Sequence, residues 1–174
     1  MFMRRTKHNL LDEASLYDYA IGALSRKMRT VAELKRLLRN RCPQETTIAR
    51  VVARLKERNY LSDTNYAATF AASRRDNQKF GRRRVITDLK VKGVHAEVIG
   101  KAVEEAFSGM DEASLARAFL RRKRLKKPTT NREAARIFRA LIRAGFGVSA
   151  AINVLKNWDV EDEVLTALEE EAEP

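Results

Sequence analysis

We predict an all-α chain of three tandem three-helix repeats, with a period of about 52 residues, stacked into an elongated, curved array. Apolar residues recur at intervals of three and four, the spacing that places side chains on one face of a helix. The helix breaks at Arg41, Gly93 and Gly145 lie in one register when the sequence is shifted by 52 residues. The same shift superposes apolar positions three times: Leu34 with Ile86 and Phe138, Leu37 with Leu89 and Leu141, and Val51 with Val103 and Leu155. Such self-similarity is typical of repeats that cannot bury their apolar faces alone.

The predicted array has five segments. They are an N-terminal arm at 1–13, repeats at 14–60, 61–109 and 110–158, and an acidic C-terminal tail at 159–174. No Gly/Pro-rich linker separates them, which argues against two independent domains. The basic first residues lead into no apolar run, and no later stretch is long and apolar enough to span a bilayer. We therefore expect a cytoplasmic monomer without a membrane contact, and a buried, inert thiol at the lone Cys42.

The first repeat carries clear helix signals. Its first helix is predicted from Ala14 to about Lys27. Thr30 with Glu33 reads as a capping box for the second helix, because each side chain can accept a hydrogen bond from a free backbone amide of the first turn. Pro43 is expected to open the third helix, since its fixed backbone angle and missing N–H suit the first helical position.

The second repeat begins after Asn59, a residue type that tolerates the left-handed conformation at a helix end. Ser62 or Asp63 is expected to cap its first helix. Further on, Gly81 precedes three arginines at 82–84 that open the next helix, where cations oppose the helix dipole. Because stability alone does not favour that placement, we interpret these arginines as binding residues.

The third repeat is the most basic part of the chain. Between Arg117 and Lys127 there are seven basic residues and no acidic one. A capping box is expected from Thr130 to Glu133, and a stripe of arginines then recurs at intervals of four, three and four residues. This arginine stripe consists of Arg132, Arg136, Arg139 and Arg143. The spacing places the stripe on one face of a helix and the apolar residues on the opposite face. Trp158 is expected to close the end of the stack.

After Trp158 the charge inverts. Residues 159–174 hold eight acidic residues and no basic one, so the first 158 residues carry a net charge of +20 against +12 for the whole chain. One interpretation is a solvated end that maintains solubility, with a final helical turn docked through Val164, Leu165 and Leu168. The other is an internal polyanion that competes with nucleic acid for the basic face.

The central stretch resembles a known family. The run Tyr60-Leu61-Ser62-Asp63, then Tyr66, Ala67 and Phe70, then Gly81, Ile86, Leu89 and Gly93 is similar to the second-repeat signature of the RecX regulators of bacterial recombination. The first repeat agrees through Tyr17, Ala20, Leu24, Arg26, Glu33, Leu34 and Leu38. The resemblance covers roughly residues 14 to 158, and Asn59 departs from the glycine usual there.

The resemblance implies a negative regulator of the RecA recombinase. Such a protein would bind the RecA filament on single-stranded DNA and suppress its ATPase, strand-exchange and coprotease activities in homologous recombination and the SOS response. No bond of a substrate would be broken, so no enzyme activity and no cofactor or metal are expected. Within the sequence, His8 and His95 have no companions for a metal site or triad, and the glycines form no phosphate loop.

The basic residues themselves indicate contact with a polyanion, dominated by phosphates or carboxylates. The candidate residues are Arg74, Arg75, Arg82, Arg83, Arg84, Lys90, Lys92, Arg117, Arg121, Arg122, Lys123, Arg124, Lys126, Lys127, Arg132, Arg136, Arg139 and Arg143. Two other functions remain open. The chain could be a sequence-independent nucleic-acid-binding module without a recombinase partner, or a helical scaffold for an acidic protein.

Overall fold

The computed structural model describes residues 10–172, and within them every regular element is helical. The all-α prediction is therefore confirmed. A π-helical turn at Arg74–Gln78 extends the fourth helix. The ten α-helices of this part of the chain are α1 Glu13–Arg26, α2 Val31–Arg39, α3 Glu45–Glu57, α4 Asp63–Ser73, α5 Arg82–Val91, α6 Ala96–Phe107, α7 Glu112–Arg122, α8 Asn131–Arg143, α9 Val148–Lys156 and α10 Asp162–Ala172. The predicted arm lies mostly outside the described residues, as do His8 and residues 173–174.

The first nine helices pack in groups of three. In the first group, α1 and α2 contact α3, and in the second, α4 and α5 contact α6. Likewise α7 and α8 contact α9. The first group buries its own apolar core, whereas the second and third groups share a continuous one. The predicted domain boundaries and the curvature of the array stay predictions.

The expectation that Trp158 closes the end of the stack is wrong, whereas the expected docking through Leu165 and Leu168 is observed. The acidic segment folds into α10, which packs on α9 and α8 and buries Leu165 and Leu168 to 4% and 5% exposure. Trp158 lies beyond the end of α9, is half-buried, and packs at the margin of the core. Burial of two leucines stabilises the docked helix by about 1.5–3 kcal/mol each. The tail is thus a folded element rather than a solvated end.

Most predicted helix ends are confirmed. Thr30 and Glu33 form the expected capping box, and Ser62 rather than Asp63 caps α4 by accepting from the Asn65 N–H. Asn59 adopts the left-handed conformation, with φ of 58°. Cys42 is a free, fully buried thiol.

Two helix starts differ from their predictions. Helix α3 begins at Glu45, so Pro43 lies two residues before it instead of opening it. At α8, Thr130 accepts from the Glu133 N–H as expected, but the Glu133 carboxylate accepts from the N–H of Thr129 instead of that of Thr130. The reciprocal hydrogen bond of the capping box thus comes from Thr129, one residue before the cap. The Thr129 hydroxyl donates to the same Glu133 carboxylate and holds it there.

The second helices of the three groups meet end to start. The hydroxyl of Thr30, before α2, donates to the carbonyl of Lys92, after α5, over 2.7 Å. One group later, the Gly81 N–H before α5 donates to the Ala144 carbonyl after α8 over 2.8 Å. Glycine is required at the second contact, because a Cβ on Gly145 would lie 2.2 Å from the backbone nitrogen of Arg84. The two acceptor carbonyls, of Lys92 and Ala144, are one 52-residue period apart, and the two donors, Thr30 and Gly81, are 51 residues apart.

Candidate polyanion-binding surface

Helix α8 presents the arginine stripe to solvent. All four stripe arginines are exposed, while Ile137, Phe138 and Leu141 on the opposite face are buried. The helical period is the reason for this division, since positions separated by three and four residues share a face. Three of the four, Arg132, Arg136 and Arg143, have no ion pair within the described residues.

The remaining stripe arginine is engaged by the acidic helix. Nε and one terminal nitrogen of Arg139 donate to the two carboxylate oxygens of Glu171 on α10, over 2.9 and 3.3 Å. The paired guanidinium lowers the pKa of Glu171, and the carboxylate raises the pKa of Arg139. Such two-point pairs fix geometry as well as charge. Helix α10 therefore covers part of the stripe with negative charge.

A second cationic region, which we call the basic loop, spans residues 121–127. It begins in the last turn of α7 and continues into the turn after it, where Arg124 adopts the left-handed conformation with φ of 56°. Its basic residues are all exposed. Lys127 pairs with Asp159 over 2.7 Å, which lowers the pKa of that carboxyl. Within the described residues, Arg121, Arg122, Lys123, Arg124 and Lys126 have no carboxylate partner.

The arginines that open α5 lie at the joint with α8. The Arg83 N–H donates to the Gly145 carbonyl over 3.2 Å, two residues beyond Arg143. This contact brings Arg83 and the end of the arginine stripe into one neighbourhood. It also changes the electrostatic interpretation, because the positive end of the α5 dipole meets the negative end of α8, where cations are favoured. The end of α8 therefore offsets part of the unfavourable dipole interaction on which that interpretation rested.

Several predicted binding residues make internal contacts. Arg82 pairs with Glu104 over 2.7 Å, and Arg84 pairs with Asp88 over 3.0 Å. Arg117 lies 3.5 Å from Asp111 at the opposite end of α7 from the basic loop. Arg83 is exposed and has no ion pair among the described residues, and the same holds for Lys90. Partial pairing on the surface leaves Arg82, Arg84 and Arg117 accessible to a stronger polyanion.

Arg74, Arg75 and Lys92 connect parts of the fold. The Arg74 guanidinium lies 4.7 Å above the Phe70 ring, and Arg75 donates to the Ala106 carbonyl at the end of α6. Lys92 donates to Glu33 of the first group over 2.7 Å. Burial alone would raise the pKa of Glu33, but the hydrogen bonds from Lys92 and from the Thr30 N–H outweigh it and lower the pKa.

Sequence reasoning offered the acidic tail as an internal polyanion for the basic face, but it did not identify the residues that pair. The helical spacing of Val164, Leu165 and Leu168 indicated docking, but no sequence pattern connects Glu171 to Arg139 across 32 positions. Among the described residues, no group of three His, Cys, Asp or Glu side chains is arranged to hold a metal ion. None of the helices within 10–172 has the length and apolar content needed to cross a membrane.

Two family models match the chain. One, described as the first three-helix domain of RecX, matches residues 17–55, and the other, the second three-helix domain of RecX, matches residues 62–103. The chain is 33% identical over 141 residues to the regulatory protein RecX of Chromobacterium violaceum, covering 81% of this chain and 89% of that protein. It is 29% identical over 140 residues to the regulatory protein RecX of Caldanaerobacter subterraneus subsp. tengcongensis, with 80% and 68% covered.

Solved structures share the fold. The crystal structure of RecX from Lactobacillus salivarius superposes with a TM-score of 0.66 at 19% identity, covering 84% of this chain and 96% of that one. A second crystal structure of regulatory protein RecX gives a TM-score of 0.73 at 21% identity, covering 83% and 73%. The structural likeness, the two matched three-helix domains and the sequence identity lead to one conclusion: the chain belongs to the RecX family of regulatory proteins.

Proposed function

We propose that this chain is a negative modulator of the RecA recombinase in the cytoplasm. It binds the RecA filament on single-stranded DNA and lowers the filament's ATPase, strand-exchange and coprotease activities in homologous recombination and the SOS response. The observation that supports this most is the set of exposed cations on α8 and the basic loop that have no ion pair within residues 10–172, in a chain from a family of regulatory proteins. A filament of recombinase and DNA presents phosphates and carboxylates to such a surface.

The action is steric and electrostatic. Guanidinium groups bind phosphates and carboxylates through two parallel N–H bonds, so the arginine stripe supplies both attraction and orientation. The large aromatic side chains Phe138 and Phe146 are fully buried, which leaves them unable to stack on bases. Binding is therefore expected to be independent of DNA sequence. The protein itself catalyses no reaction and acts as a monomer.

The test measures the ATPase rate of the cognate recombinase on single-stranded DNA while this protein is added at substoichiometric amounts. A DNA-binding assay at the same salt concentration accompanies it. Strong inhibition at ratios too low to coat the DNA supports the filament-directed regulator. Inhibition only at amounts that compete for DNA would instead support a sequence-independent nucleic-acid-binding module, which the same exposed cations favour.

A triple charge reversal identifies the surface. Arg132, Arg136 and Arg143 are changed to Glu, while Arg139 is kept so that the contact with α10 is undisturbed. The matched control reverses three exposed lysines on other helices, Lys56, Lys101 and Lys156, and so makes the same change in net charge. We expect inhibition to fall at least tenfold in the stripe variant alone. Normal inhibition with normal helical content would remove the stripe from the interface.

A further inference from the structure

An open groove lies between the first and second helix groups. It has about 330 Å³ of free volume and runs between the turn before α2 and the side of α4. Its floor is the stacked pair Tyr66 and Phe70, whose ring centroids are 5.8 Å apart. Met28 forms the opposite wall and is 48% exposed, which is unusual for a large apolar side chain beside an aromatic floor.

The equivalent position one group later is closed. The 52-residue shift that aligns the second helices sets Phe80 opposite Met28, and Phe119 follows its helix cap by eight residues, as Phe70 does. The Phe80 ring packs on Phe119 with centroids 6.2 Å apart and planes tilted by 44°. The chain therefore supplies an aromatic ring at the second joint, whereas the first joint has Met28, which has no ring, at the same place in the repeat.

Each floor ring also has a cation above it. Arg74 lies 4.7 Å above Phe70, and Lys123 lies 5.9 Å above Phe119. The open groove has two further cations on its rim, Lys27 and Lys92. Lys92 pairs with Glu33 and Arg74 lies 3.6 Å from Asp88, whereas Lys27 is exposed and has no ion pair among residues 10–172. The exposed Lys27 therefore favours a group that brings a carboxylate with it.

We propose that this groove binds an aromatic side chain from a segment of a partner protein that carries carboxylates beside that side chain. The ring packs at a tilt against Phe70 beside Met28, as Phe80 packs against Phe119, and a neighbouring carboxylate meets Lys27. A nucleic-acid base fits less well, because the contact that the chain itself makes at the equivalent position is tilted by 44°, whereas a base would stack face to face. The groove contains no residue of the arginine stripe or the basic loop, so this proposal goes beyond the proposed function.

The probe is a fluorescent, end-blocked peptide with one phenylalanine between two acidic residues on each side, and a second peptide with alanine in its place. Binding is measured by anisotropy, and the amide shifts of Thr69 and Phe70 are followed by NMR in the full chain. We expect saturable binding of the phenylalanine peptide, shifts at both residues, and at least tenfold weaker binding of the alanine peptide. Equal affinity for the two peptides would overturn the proposal.

Met28→Phe should close the groove from within and weaken binding of the phenylalanine peptide at least tenfold. Its matched control is Met110→Phe, at the other exposed methionine of the described chain, which should bind as the native chain does. Thr69→Glu, at an exposed position on the rim, should also weaken binding and is the alternative variant if Met28→Phe fails to fold.

Unchanged affinity in both groove variants would contradict the proposal. Displacement of the peptide from Phe70 by a short thymidine oligonucleotide would reassign the groove to nucleic acid. No recombinase is present, so failure here is separate from failure of the proposed function.

Discussion

Arg139 and Glu171 join the third helix group to the acidic helix through two hydrogen bonds of 2.9 and 3.3 Å. Arg139 belongs to the arginine stripe, and Glu171 belongs to the segment 159–174, which contains eight acidic residues. The contact therefore places a carboxylate of the protein itself on its candidate binding surface. Both side chains are about half exposed, so this pair contributes little to stability. Its consequence is that one stripe arginine is occupied before any partner arrives.

Glu171→Gln should release Arg139 for binding. If the stripe contacts phosphates, the variant should bind a single-stranded oligonucleotide more tightly, and its log-log salt slope should steepen by up to about 0.7 for one added phosphate contact. Glu170→Gln is the matched control, because Glu170 is exposed on the same helix and has no ion pair within the described chain. Anisotropy titrations at several salt concentrations compare the two variants. Identical slopes would show that α10 does not compete for the stripe.

Gly145→Ala should destabilise the joint between α5 and α8. Gly145 has φ of 92°, and a Cβ there would lie 2.2 Å from the Arg84 nitrogen, so backbone strain and a steric clash add together. Gly109→Ala is the control, since Gly109 has φ of 67° but no atom within 4 Å of an added Cβ. Urea unfolding should give a loss of about 1–2 kcal/mol for the control from strain alone, and a clearly larger loss for Gly145→Ala. Equal losses of unfolding free energy in the two variants would mean that α5 and α8 move apart enough to accept the added Cβ without a further energetic cost.

Thr30→Val should lower the free energy of unfolding more than Thr130→Val does. Both threonines cap a helix by accepting from the N–H three residues on, but only Thr30 is fully buried and also donates to the Lys92 carbonyl of the next group. Loss of a cap costs about 1 kcal/mol of folding free energy, and leaving the partly buried Lys92 carbonyl unpaired adds about 1 kcal/mol. Denaturant unfolding of the two variants measures the difference. If Thr30→Val lowered the free energy of unfolding no more than Thr130→Val, the hydrogen bond from Thr30 to Lys92 would have no stabilising role.

The pair of Glu33 and Lys92 should make stability depend on pH. The folded-state pKa of Glu33 is below the ordinary value of 4.5, so its contribution is complete above about pH 4.5 and is lost as pH falls through the lower folded-state value. Glu33→Gln keeps a capping box residue but removes the charge. The stability difference between native chain and variant should therefore shrink as the pH falls from about 5 through the folded-state pKa of Glu33. Glu97→Gln, which breaks an exposed pair with Lys101, is the control; a difference for Glu33→Gln that does not change with pH would contradict the assignment.

Local patterns in the sequence were sufficient for the all-α class and most helix ends. The capping residues Thr30 and Ser62, the left-handed Asn59 and the buried Cys42 follow from the chemistry of a few neighbouring residues, since helix ends are satisfied locally. The helical spacing of three and four residues also placed the arginine stripe on an exposed face. What the sequence by itself determined is therefore which residues before Trp158 form helices and which face each of those helices buries.

Only the tertiary structure decided how those helices meet. Gly81 and Ala144 are 63 positions apart, and their contact brings the start of α5 to the C-terminus of α8. The arginines at the start of α5 therefore lie near the negative end of a second helix dipole. The pairing of Arg139 with Glu171 and the open groove beside Met28 have the same origin. These contacts depend on where the backbone brings distant segments, which no local propensity or spacing records. A period in the sequence predicts that groups stack, but packing alone determines whether a given joint is filled by Phe80 or left open at Met28.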